Sequence, residues 1–97
     1  MDVKEIRKKL EEKKDYLKKE FYVVEIGIFG SFVRNEQTST SDVDILIVFE
    51  KGHKNFFNYM RLKYYLEDLL GLQVDLVIKE AIKLRLRENI LKEVEYV

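Results

Sequence analysis

The stretch GIFGSFVRNEQTSTSDVDILIVF, residues 27–49, decides how this chain folds. An apolar run ends at Gly30-Ser31, a polar loop follows, and a second apolar run leaves Asp42-Val43-Asp44. Two β-branched and aromatic runs divided by turn residues predict two strands. Side chains two apart on a strand share a face, so Asp42 and Asp44 are expected to project together at the strand mouth. Like charges in that position cost stability unless something positive lies between them.

The pair lies in a short chain. Its 97 residues suit one domain, 1–97, with a single core. Acidic and basic residues balance at 18 each, which removes the basic surplus of a general nucleic-acid binder. The absence of cysteine excludes disulfides and thiolate metal sites. No apolar run approaches the ~20 residues of a membrane span, and the charged N-terminus lacks a signal-peptide core. A soluble, cytoplasmic protein is the expectation.

Residues 2–20 carry Val3, Ile6, Leu10, Leu17 and Phe21 at helical spacing, with Asp2 and Glu5 as a capping box. The lysines and glutamates between them read as a solvated face with i,i+4 ion pairs. Strands are predicted at Tyr22–Phe29, Asp42–Phe49 and Leu72–Ile78, with one short helical turn over residues 31–36. Helices are predicted over 55–70, ended by Gly71, and from Glu80 to about Val94. Phe56, Tyr59, Met60, Leu66, Leu69 and Leu70 form the apolar side of the first, and Ile82, Leu86, Ile90 and Val94 that of the second. The order α-β-(short α)-β-α-β-α predicts an α/β (α+β) fold, helices packed on a small three-stranded mixed sheet.

Asp75 stands in LQVDLVI, a lone acid in an apolar strand. Beside the second strand it completes a three-carboxylate cluster, the donor set that holds Mg²⁺ next to phosphate. Taken singly, each acid has an ordinary reading: Asp42 as loop punctuation, Asp75 as a charge guarding a strand edge. Their joint placement downstream of Gly30-Ser31 favours a site. Glycine lets a backbone N–H approach an anion, and Ser31 adds a hydroxyl and its own N–H. His53, the only histidine, reads as an exposed loop residue. The aromatics of FFNYMRLKYY exceed what one helix face can bury, since Tyr64 and Tyr65 cannot both point inward; the surplus suits a protein interface.

The segment GSFVRNEQTSTSDVDILIVF resembles the G-S-x-x-R-G-x-x-x-x-x-S-D-x-D motif of DNA polymerase β-like nucleotidyltransferases. More narrowly, it resembles the minimal nucleotidyltransferase (MNT) antitoxins of HEPN/MNT toxin–antitoxin pairs, over nearly the whole chain. Gly30, Ser31, Arg34, Ser41, Asp42 and Asp44 match the motif, and Asp75 supplies its third acid. The resemblance implies a polymerase β-like fold and a nucleotidyltransferase that moves AMP from ATP to a tyrosine of a HEPN toxin, a helical ribonuclease. It implies that Gly30, Ser31, Arg34 and Ser41 serve the nucleotide. Asp42, Asp44 and Asp75 would hold Mg²⁺, with Asp75 also helping to deprotonate the acceptor hydroxyl. Larger relatives carry a helical domain for the acceptor; 97 residues leave no room for one, so a partner is expected to supply it. The alternatives are an antitoxin that acts by binding alone and a transferase acting on a small molecule. Asn35 replaces the motif's second glycine, and asparagine is among the few residues that tolerate positive φ.

Overall fold

The strands expected from residues 27–49 form β1 (Val23–Phe29) and β2 (Val43–Phe49), paired antiparallel. This computed structural model describes residues 1–97. Before β1 run helices α1 (Val3–Glu12) and α2 (Lys14–Phe21), and α3 (Ser31–Arg34) follows it. After β2 come α4 (Phe56–Leu70), β3 (Val74–Ile78), a 3-10 turn (Lys79–Ala81), α5 (Leu84–Glu93) and β4 (Glu95–Tyr96). The sheet order is β3-β2-β1-β4, with β2 and β3 parallel through the α4 crossover.

The main core lies between one sheet face and α1, α2 and α4. Val43, Ile45 and Ile47 of β2 meet Ile6, Leu10, Leu17, Leu62, Leu66 and others, all buried. Alternation along β1 is interrupted by a bulge between Val23 and Glu25, which lets Val23 and Ile26 both face this core. The opposite face is smaller: Phe29, Leu46 and Ile82 pack with Ile90 and Leu91 of α5 and with Val94, which caps it. Gly27 makes that closure possible, because a Cβ there would collide with Val94.

Several expectations are corrected. The single N-terminal helix breaks at Lys13, inside Glu11–Asp15, a charged run with no apolar anchor to hold it straight. Tyr22 ends α2 in the left-handed conformation and stacks on His53, so His53 is half-buried. Phe56 is 80% exposed, and Leu62 takes the inward place on α4 with Leu66 and Leu70 at four-residue spacing. The last helix begins at Leu84, after the 3-10 turn, and leaves Leu86 exposed. A fourth, two-residue strand extends the expected three-stranded sheet.

The free edge of β3 is covered by α4. Lys63 Nζ donates to the Val74 carbonyl (3.0 Å), Tyr59 Oη to that of Leu76 (2.5 Å), and Glu67 accepts from the Val74 N–H (3.0 Å). Asn58 is the one buried polar side chain; its Nδ2 donates to the carbonyls of Phe21 (2.8 Å) and His53 (3.2 Å). Asn58→Ala strands these acceptors and is expected to cost about 2 kcal/mol, lowering the melting temperature by roughly 10 °C. Thermal unfolding followed by circular dichroism checks this.

Candidate active site

The register of the parallel pair builds the site. Asp44 and Asp75 are direct partners on β2 and β3, so both project from the same face, one strand spacing apart. Asp44 is half-buried and Asp75 exposed; Asp42 lies just before β2, exposed. Gly30 meets them from the end of β1, where Phe29 pairs with Asp44. Its φ of 79° and ψ of −153° belong to a region that L side chains rarely enter, and a Cβ would overlap the Asp44 carboxylate. Glycine is required here on both counts. The structure thus gathers Gly30, Asp42, Asp44 and Asp75 at one edge of the sheet, as the sequence pattern predicts.

Negative charge accumulates there, only partly offset by Arg34. The Asp44 carboxyl is pushed up to about 6, by burial first, then by Asp75 through charge and hydrogen bonding, and by Asp42; Arg34 opposes the shift. Burial first, then the charge of Asp75, raises the Tyr59 hydroxyl. An open hollow lined by Ser39, Thr40, Ser41, Asp42, Gly71, Leu72 and Gln73 adjoins Asp42.

The donors suit a hard divalent cation: oxygen only, with two carboxylates in register whose repulsion a cation would relieve. As the side chains stand, no three acids converge closely enough to chelate an ion by themselves. The expected three-carboxylate cluster is therefore not closed in the free chain; Asp44 and Asp75 are the pair in register.

The remaining motif residues sit differently. Ser31 opens α3, half-buried. Ser41 braces its own loop, Oγ accepting the Thr38 N–H at 2.9 Å. Arg34 is engaged by two glutamates: Nη1 donates to Glu93 Oε2 (2.8 Å) and Nε to Glu36 Oε1 (3.0 Å). These contacts raise the Arg34 pKa, Glu93 first and Glu36 second. The other Glu93 oxygen, Oε1, accepts the Gly30 N–H. Nothing in the sequence singles out Glu93, one of several glutamates on a charged helix. Only the docking of α5 brings it to Gly30.

Asn35 caps α3 at φ 59°, ψ 37°, the left-handed conformation the motif's glycine would adopt. Asn35→Gly is expected to leave stability within about 0.5 kcal/mol, whereas Asn35→Val is expected to cost 1–2 kcal/mol, roughly the penalty of that region for a β-branched side chain. Denaturant midpoints of the two variants check the turn.

Comparison with known proteins agrees with this geometry. The family described as "Nucleotidyltransferase domain" matches residues 3–97. The chain belongs to this family. Protein adenylyltransferase MntA of Thermococcus cleftensis is 44% identical over 97 residues, covering 100% of this chain and 97% of that protein. A solved structure provisionally described as a minimal nucleotidyltransferase superposes with TM-score 0.83 at 37% identity, covering 98% of this chain and 95% of that one. A chain from a tri-AMPylated Shewanella oneidensis HEPN toxin in complex with MNT antitoxin shares the fold. It has TM-score 0.65 and 19% identity, covering 94% of this chain and 70% of that one. Membership makes the chain a nucleotidyltransferase and bears out the minimal fold implied by its motif. No helix is long and apolar enough to cross a membrane.

Proposed function

We propose that the chain transfers AMP from ATP, with Mg²⁺, to a tyrosine hydroxyl of a HEPN-domain toxin and thereby acts as its antitoxin in the cytoplasm. The observation that carries this is the contact of side-chain-free Gly30 with Asp44, whose strand partner is Asp75. It sets a backbone N–H for a phosphate beside the acids. The full-length likeness to a protein adenylyltransferase supports a protein as acceptor.

The roles divide as follows. The Gly30 N–H and Arg34 guanidinium hold phosphate oxygens, with Ser31 beside them, and Ser41 keeps the loop that leads to Asp42. Asp42, Asp44 and Asp75 would hold Mg²⁺, which when bound neutralises phosphate charge and favours departure of pyrophosphate. Asp75, exposed at the start of β3, takes the proton of the incoming tyrosine. The tyrosine oxygen bonds to the α-phosphorus as the bond to the α–β bridging oxygen breaks, and pyrophosphate leaves with that electron pair.

Neutralisation by binding alone is the second reading, favoured by one observation: both donors of the phosphate position are already engaged by Glu93. Labelled ATP separates the two. The label of α-³²P-ATP is expected on the co-expressed HEPN protein, at tyrosine, and that of γ-³²P-ATP is not. A tight complex that stays unlabelled would establish the binding mode.

A further inference from the structure

We propose that Glu93 sets the nucleotide affinity of this site by occupying, in the free chain, the position of a phosphate. This deepens the nucleotide reading above and rests on it. The Glu93 carboxylate uses both oxygens, Oε1 on the Gly30 N–H and Oε2 on Arg34 Nη1 at 2.8 Å. A backbone N–H and a guanidinium are the donors a phosphate takes, and they bind either anion through the same charge-assisted hydrogen bonds. The Gly30–Glu93 contact joins residues 63 positions apart and is part-buried, the Glu93 side chain being 22% exposed, while the Arg34 side opens to solvent. Glu88 on the same helix pairs only with Lys92, in solvent.

Glu93 and a nucleotide phosphate exclude each other. Gly30 has one N–H to give, and its other side is closed by the Asp44 carboxylate. A phosphate entering beside Glu93 would face two carboxylates, with the charge of Arg34 already shared between Glu93 and Glu36. Exchange is feasible because α5 has no fully buried residue and is held through Ile90, Leu91 and Val94, so the Glu93 side chain can swing out while the helix stays seated. Nucleotide therefore binds against the strength of the Glu93 contacts.

Glu93→Gln tests this, since the amide keeps the shape and an acceptor for the Gly30 N–H but drops the charge. Calorimetric titration of the full chain with a non-hydrolysable ATP and Mg²⁺, and separately with tripolyphosphate, is expected to show tighter binding of both. The gain should be between about 10- and 100-fold, the range of a charge-assisted hydrogen bond. Glu93→Asp, one methylene short of Gly30, is expected to tighten binding as well. Equal or weaker binding by both variants, with the wild type binding normally, overturns the proposal alone. Failure of wild type and variants alike to bind ATP overturns the nucleotide reading, and this one with it.

Discussion

Gly30→Ala is expected to slow nucleotidyl transfer by at least about 10²-fold and to destabilise the chain by about 3 kcal/mol. Two costs add. The backbone at φ 79°, ψ −153° is nearly closed to L side chains, a penalty of order 1–3 kcal/mol. The new Cβ must also displace the Asp44 carboxylate, whose Cβ would stand 3.1 Å away. Asp44 is anchored on a strand buried between two layers, so its side chain must leave the position it shares with Asp75. A displacement of about 1 Å in a catalytic group costs roughly 10²-fold in rate, and the altered backbone also re-aims the Gly30 N–H. Initial rates of AMP transfer beside a thermal melt check both effects. An alanine variant with wild-type rate and stability would mean that Gly30 is not the joint between phosphate position and acids.

Asp44→Asn is expected to lose at least about 10²-fold in transfer, the scale for removing one preorganised charge-stabilising group, while making the free chain more stable at neutral pH. The wild-type carboxyl titrates near 6 in the folded chain against 3.8 ordinarily, so folding takes up its proton. The stability this supplies is fully present below pH ~4 and is lost as pH rises through about 6. Above that, the charged form works against the fold. The full shift corresponds to about 3 kcal/mol; solvent screening of a half-exposed group reduces it to about 1 kcal/mol. The asparagine variant is thus expected to melt roughly 4–8 °C above wild type at pH 8 and level with it at pH 4. Millimolar Mg²⁺ should narrow the gap at pH 8 by stabilising the wild type alone. A melting temperature for Asp44→Asn below wild type at pH 8 would contradict the picture of clustered, mutually repelling acids.

The β2–α4–β3 unit and its acids are legible because each element carries its own signal. Strand periodicity puts Asp44 on one face, Gly71 stops α4, and VDLVI cannot be read as a helix of useful length. Once the two strands are adjacent and parallel, their register brings Asp44 to Asp75. Both ends of α4 are similarly readable, but the inward face of its first turn is not. Phe56 and Phe57 fit an apolar stripe as well as Leu62 does, and only docking on the sheet turns them outward, 80% and 74% exposed. The second layer is least legible. β4 is two residues long and exists because Gly27 leaves space for Val94 and Tyr96 to approach β1. Glu93 reaches the site through that same closure, so its position depends on tertiary packing that no local pattern in residues 84–93 records.

The proposed function is that of a working transferase with a protein acceptor. Intact-mass spectrometry of the co-expressed HEPN partner, after incubation with this chain, ATP and Mg²⁺, tests it most directly. The expected result is a mass gain of one AMP, or a whole-number multiple of it, that depends on Mg²⁺ and disappears with Asp44→Asn. An unchanged partner mass in a stoichiometric, neutralised complex would contradict it.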